Sequence, residues 1–280
     1  DLMNLTGHII PQKCICEDSN FNCCHIYRER PSGETDFRIE NYYREIWKCS
    51  ECDHYRSTTD ISLEELYSGK YASMTYGNVD DIRSNFDRIM NLDPKFSDNI
   101  GRVSKIKDFV SKYFKNRDKI KILDIGSGLG VFLAQIKLQT EWNCTAIEPD
   151  PQMSQHLSND LNIRTYKDDF RKLDLDERFN IITLNKVLEH VMDPIDLLAS
   201  CKRYIDSEGL IYIEVPDGQC AAEDRLGYGR EEFFLEHHHA FSLNSTKKMI
   251  EKAGFELINI ETLKEPSTKY TIRAFLQKIV

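Results

Sequence analysis

From Lys119 to the C-terminus, short apolar runs alternate with longer segments whose apolar residues recur at helical spacing. "KIKILDI", "NCTAIE", "NIRTY", "FNIITLN", "GLIYIEVP", "FELINIETL" and "YTIRAFLQKI" predict strands. "GVFLAQIKLQ", "PQMSQHLSNDL", "PIDLLASCKRYI" and "STKKMIEKAG" predict the helices between them. Regular alternation of this kind calls for a parallel sheet with helices on both faces, an α/β fold. Upstream the pattern changes. "DDIRSNFDRIMNL" and "IGRVSKIKDFVSKYF" are amphipathic, the second through Ile100, Val103, Ile106, Phe109, Val110 and Phe114, and Pro94 separates them. Before them, "FRIENYYREIWKCSEC" reads as short strands leading into a cysteine turn. Three units are expected: a Cys-rich module over residues 1–60, a helical segment over 61–117, and the α/β domain over 118–280.

Composition narrows the function. With 280 residues, 40% of them hydrophobic, the chain can bury a large core. The net charge of −9 argues against a broad electrostatic grip on nucleic acid. No apolar run is long enough to cross a membrane, and no signal-like N-terminal segment is present, so a cytoplasmic setting is expected. The nine cysteines are an odd number, and six of them fall in the first 52 residues. In a reducing compartment such clustering suggests a metal rather than disulfides.

The strand "KIKILDI" runs into "GSGLG". Gly126, Gly128 and Gly130 let the backbone turn sharply and approach a ligand, and the next helix points its N-terminus at it. A dinucleotide fingerprint needs Gly or Ala at position 131, where this chain has Val131, so a nicotinamide oxidoreductase is the weaker reading. Glu148 ends the second strand, at the usual distance for holding ribose hydroxyls. "DDF" follows the third strand; its acids can accept from an adenine amino group, and Phe170 can line the base. Three acidic positions after successive strands point to a nucleoside site.

"ILDIGSGLGVFL", "AIEPD", "DDF" and "NKVLEHVMDP" resemble successive motifs of class I S-adenosylmethionine-dependent methyltransferases. The resemblance implies a Rossmann-like seven-stranded sheet with its last strand antiparallel. It implies that Gly126, Gly128 and Gly130 cradle the methionine part of S-adenosylmethionine, with Asp124 orienting its amino group. Glu148 would bind the ribose, Asp169 and Phe170 the adenine, and Asn185 would lie beneath the cofactor.

"KCSEC" presents Cys49 and Cys52 in a C-x2-C turn suited to one metal ion. Cys14 and Cys16 in "KCIC" are the nearest second pair, one residue short of the usual spacing; Cys23, Cys24 and His25 compete with them. A structural zinc would supply folding energy that so small a module lacks. A zinc ribbon ahead of a class I methyltransferase resembles bacterial enzymes acting on nucleotide-activated sugars. In that group tyrosines follow the ribbon, here Tyr67, Tyr71 and Tyr76, and Tyr71 and Tyr76 would close over the cofactor.

The last motif is "FFLEHHHAFS", residues 233–242. It follows the fifth strand, over the carboxyl ends of the sheet. Sugar C-methyltransferases of the zinc-ribbon group carry Tyr-x-Glu-His here; this chain reads Phe234-Leu235-Glu236-His237. The resemblance implies His237 as base with Glu236 as its partner, and leaves open whether carbon or oxygen is methylated. His190, after the fourth strand, is the rival base. His238 and His239 are expected as substrate contacts or solvated residues, with His237 and His239 on one side of an extended chain. A metal near Glu189 and His190, as in some ubiquinone-type O-methyltransferases, is disfavoured by Lys186. The expected acceptor is a small molecule, a nucleotide-sugar, with no nucleic-acid or membrane partner; the alternative is a zinc-ribbon methyltransferase acting on RNA or protein.

Overall fold

A computed structural model describes residues 2–3, 8–61, 79–114 and 119–279. Tyr67, Tyr71 and Tyr76 lie outside the described residues.

The N-terminal module contributes three antiparallel strands: β1 (Phe21–Tyr27), β2 (Arg44–Cys49) and β3 (Tyr55–Thr59). Two helices follow, α1 (Val79–Met90) and α2 (Asp98–Tyr113). The Ser97 hydroxyl accepts from the Ile100 N–H and so caps α2. The helix buries Val103, Ile106 and Val110 against Ile122, Phe132 and Tyr212 of the main core.

The α/β domain is built from β4 (Lys121–Ile125), α3 (Val131–Gln139), β5 (Asn143–Ile147), α4 (Pro151–Gln155), β6 (Arg164–Tyr166), β7 (Phe179–Asn185), α5 (Pro194–Ser200), β8 (Ile205–Pro216), α6 (Gly218–Glu223), β9 (His239–Ala240), α7 (Leu243–Lys252), β10 (Phe255–Lys264) and β11 (Tyr270–Lys278). Seven of these strands form one sheet in the order β10-β11-β8-β7-β4-β5-β6. The strand β11 runs antiparallel to both neighbours, and β7, β4, β5, β6 and β8 pair in parallel. The α/β architecture that the pattern predicts is therefore present, with the antiparallel last strand that the family resemblance implies. From β4 the chain winds outward to β5 and β6, then returns to place β7 on the other side of β4. This reversal opens a crevice at the carboxyl ends of β4 and β7.

The strand β9 does not join that sheet. His239 and Ala240 pair antiparallel with Arg56 and Tyr55 of β3, giving a second sheet of order β9-β3-β2-β1. The histidine-rich segment is thereby welded to the N-terminal module. A buried ion pair strengthens the weld. Arg44 lies 3.3 Å from Glu34 and also donates to the Phe233 carbonyl, while Glu34 accepts from the Leu235 N–H at 2.6 Å. Both side chains are completely buried, so each charge depends on the other and on these backbone groups.

Candidate active site

The crevice holds a cavity of about 550 Å³. The glycine loop, Asp124, Glu148 and Asn185 line one end, and Lys186, Glu189, His190, Phe234, Glu236 and His237 line the other.

At the first end, Gly126, Gly128 and Gly130 all have positive φ, at 70°, 53° and 76°. A side chain at Gly130 would meet Leu157 and Leu161 at 2.6 and 2.7 Å, so glycine is needed there for close packing. At Gly128 a side chain would meet nothing within 4 Å; the space it would take is cavity. The Glu148 carboxylate accepts from the Gly128 N–H at 2.7 Å and the Asp150 N–H at 2.9 Å, which fixes the loop. Asp124 accepts from the Thr183 hydroxyl at 2.6 Å and the Asn185 amide at 2.9 Å. Burial pushes Asp124 up to about 6 and Glu148 up to about 7. The Asn185 amide oxygen is buried with no hydrogen-bond partner among the described residues. This end of the cavity thus offers acceptors for a ligand that brings donors and positive charge.

Asp169 and Phe170 stand outside the cavity lining. Asp169 accepts from the Arg171 N–H and is bridged by the Arg171 guanidinium at 2.8 Å. Phe170 is buried against Tyr204, with ring centres 5.4 Å apart.

At the second end, hydrogen bonds define the protons on two imidazoles. His237 Nδ1 faces the Glu232 carbonyl at 3.0 Å, and His190 Nδ1 faces the Glu236 carbonyl at 3.0 Å. A carbonyl only accepts, so in each neutral ring Nδ1 carries the proton and Nε2 keeps its lone pair. The rings meet edge to face, 4.8 Å apart. Desolvation holds His237 well below the ordinary imidazole value, so it is neutral at neutral pH, with one nitrogen lone pair unprotonated. Burial raises Glu236 and Glu189 above the usual carboxylate range. Glu189, His190 and His237 bring ligand atoms within 4.8 Å of one another.

Two expectations for this loop are corrected. His239 does not line the cavity that His237 lines, so it is no substrate contact there. It is 1% exposed and faces His54 Nε2 at 2.8 Å through Nδ1, because the pairing of β9 with β3 turns it into the module. Nor is His239 solvated: desolvation keeps it well below the usual imidazole value. His238 is half-buried outside the cavity lining, its backbone held on both sides, the N–H by the Glu189 carbonyl and the carbonyl by Ser57.

In the N-terminal module, Cys14, Cys16, Cys49 and Cys52 place their sulfurs within 4.8 Å of one another. Cys14 lies 3.5 Å from Cys52, and Cys16 lies 3.6 Å from Cys49. The short C-x-C spacing suffices because Glu17, at φ 76°, closes a tight loop in which the Glu17 N–H reaches the Cys14 carbonyl. Cys23, Cys24 and His25 lie along β1 instead.

A family model described as a methyltransferase domain matches residues 99–260. The chain belongs to this methyltransferase family. It is 31% identical over 104 residues to a ubiquinone biosynthesis O-methyltransferase of Haemophilus ducreyi, covering 33% of this chain and 44% of that protein. A protein of the same name from Rickettsia bellii is 22% identical over 140 residues, covering 45% and 58%. The match therefore spans about half the length of these relatives. Among solved structures, the plantazolicin methyltransferase BpumL with S-adenosylhomocysteine and a monoazolic desmethylPZN analog superposes with a TM-score of 0.57 at 17% identity, covering 78% of this chain and 96% of that one. The Burkholderia thailandensis 1,6-didemethyltoxoflavin-N1-methyltransferase gives 0.55 at 14% identity, covering 90% and 100%. These likenesses share the fold of the methyltransferase; the oxidoreductase alternative falls with the family assignment.

Sequence reading missed several cavity residues of the methyltransferase. Glu232 and Tyr270 line it, and the Tyr270 N–H donates to Glu232 at 2.6 Å. Lys269 lines it too, 3.2 Å from Glu231. Nothing in their local sequence marks them, because a loop and the start of the antiparallel strand are brought over the crevice only by the tertiary fold.

Proposed function

We propose that this methyltransferase binds S-adenosylmethionine at the glycine-loop end and methylates a small molecule, most consistently a nucleotide-activated sugar, at the histidine end. The observation that carries the reading is the pairing of a glycine-loop cradle with a neutral imidazole, His237, whose Nε2 lone pair is open, in one cavity. When bound, S-adenosylmethionine supplies an electrophilic methyl group, and its transfer to the acceptor displaces one of the acceptor's protons. The chain supplies everything else. Glu148 would hold the ribose hydroxyls, Asp124 and the unpaired Asn185 oxygen the amino group, and the open face of Gly128 the methionine chain. His237 Nε2 would receive the acceptor's proton. Glu236, whose carbonyl orients His190, holds the second imidazole beside the first.

The sugar reading is supported by the Cys module and by the Glu-His sequence motif at Glu236 and His237, although the imidazole that the Glu236 carbonyl orients is His190 and His237 is oriented by the Glu232 carbonyl. Of the cations lining the cavity, Arg102 is 2.6 Å from Glu214 and Lys186 donates to Thr271, whereas Lys269 is 41% exposed. The pair with Glu231 is partly open to solvent, so Lys269 can turn to meet a diphosphate.

The four cysteines fit a structural zinc. Tetrahedral bonds of about 2.3 Å put sulfurs about 3.8 Å apart, close to the distances seen here. The zinc would shape the module that carries β9, with no part in the transfer.

Glu148→Ala removes charge-assisted hydrogen bonds and is expected to weaken S-adenosylmethionine binding by roughly 1.5–3 kcal/mol in calorimetry. The same titration run at falling pH reports on both carboxylates. Their raised values mean that they take up protons as pH drops through about 7 and about 6, and a protonated acid no longer attracts the amino group or accepts as strongly. Affinity should therefore decline below neutrality. Wild-type-like affinity in the alanine variant contradicts the cofactor placement.

A further inference from the structure

At the acceptor end, spare donors and spare acceptors face the same cavity without meeting. Glu189 is completely buried, and neither carboxylate oxygen has a hydrogen-bond partner among the described residues. A carboxyl group left so is costly unless a ligand satisfies it. Three residues earlier, Lys186 adopts φ 58°, the left-handed region that a side chain rarely occupies. Its ammonium donates to the Thr271 hydroxyl at 2.7 Å, its one hydrogen bond among the described residues, so two of its three N–H groups are unused. Lys186 and Glu189 both line the cavity, and each perturbs the other electrostatically, yet no hydrogen bond or ion pair joins them. The group that satisfies both must accept from an ammonium and donate to a carboxylate.

This requirement sorts ligand chemistry. A carboxylate or keto oxygen accepts but cannot donate. An ammonium donates but cannot accept, and Lys186 repels it. A hydroxyl does both. The Glu189 carboxylate, His190 and His237 span no more than 4.8 Å, so groups that engage them sit on one carbon or on neighbouring carbons. We propose that Lys186 and Glu189 clamp a hydroxyl of the acceptor next to the hydroxyl that gives its proton to His237, so that the substrate class is a vicinal diol and the methylated atom is oxygen. The proposal rests on the histidine end being the acceptor site. It narrows that reading to O-methylation, which the Glu236–His237 motif alone leaves open. Lys186 and Glu189 are positioning residues here: they hold the neighbouring hydroxyl while His237 acts on the reacting one.

Calorimetry on the protein saturated with S-adenosylhomocysteine tests this, with dTDP-glucose and 3,4-dihydroxybenzoate as diol probes. Lys186→Met and Glu189→Gln should each weaken binding of the accepted diol roughly ten- to hundredfold, the range for one hydrogen bond to a charged group. The double variant should lose little more than the worse single one, because both side chains hold the same hydroxyl. Affinity for S-adenosylhomocysteine should be unchanged, which separates a clamp from a general folding defect; Glu189→Gln preserves side-chain volume for this reason. Binding of the phenolic diol alone, with the same sensitivity to both variants, would support the clamp and contradict the sugar reading. Unaltered diol affinity in both variants overturns the clamp, and so does a wild-type protein that binds neither probe.

Discussion

Replacing His237 by alanine is expected to lower turnover by roughly 10²–10⁴-fold, the usual contribution of a general base. Cofactor affinity should stay near wild type, because the glycine loop, Asp124 and Glu148 lie at the other end of the cavity. The expectation follows from the proton inventory of the ring. The Glu232 carbonyl fixes the proton on Nδ1, which leaves Nε2 as the lone pair available for the acceptor. The pH profile carries the same signature. Burial disfavours the imidazolium form, so His237 stays neutral below the ordinary value of 6.5, and turnover should fall only as pH drops through the depressed value. His238→Ala should be milder, since that side chain lies outside the cavity lining. Near-normal turnover in His237→Ala together with inactivity in His190→Ala would move the base to His190, whose Nε2 is equally open.

The second large effect is expected at the cysteines. Cys49→Ser should abolish zinc binding and expose the N-terminal module to protease, because metal binding in small modules is worth on the order of 10 kcal/mol of folding energy. Turnover should fall with it. The Ser242 hydroxyl donates to the Cys52 carbonyl at 2.6 Å, and the Ser57 N–H donates to the His238 carbonyl at 3.0 Å, so the module grips the histidine segment on both sides of β9. The soluble fraction should still bind S-adenosylmethionine, since the glycine loop belongs to the other sheet. Native mass spectrometry of freshly purified, reduced wild-type protein should show one zinc. A metal-free wild type, or a serine variant with intact module and full turnover, contradicts a structural metal.

The α/β domain was readable because its strands are short apolar runs separated by helical periodicity. "FNIITLN" is buried along its whole length until Asn185, where the strand reaches the cavity. The glycine-loop end of the cavity was readable for a related reason: Asp124, Gly126, Gly128 and Glu148 sit at strand ends or in the loop that follows, where the alternating fold opens its crevice. The histidine segment was legible only in part. Its place above the sheet followed from chain order, but β9 pairs with a strand nearly two hundred residues away, and no local pattern announces that. That pairing buries His239 inside the module, which the extended-chain reading did not foresee. The strand β1 was missed because "FNCCHIY" lacks the alternation of a half-buried strand; its cysteines looked like ligands in a loop. Lys186 and Glu189 showed their identities in the sequence but not their unmet hydrogen bonds, which depend on what the tertiary fold leaves around them.

One measurement bears most directly on the account: mass spectrometry of a nucleotide-sugar panel, dTDP-glucose included, after incubation with the protein and methyl-deuterated S-adenosylmethionine. The account predicts a product heavier by one labelled methyl group attached through oxygen, absent with His237→Ala. A labelled methyl group on carbon would contradict the diol clamp. If no nucleotide-sugar acquires label while the protein methylates RNA or its own side chains, the acceptor assignment is wrong.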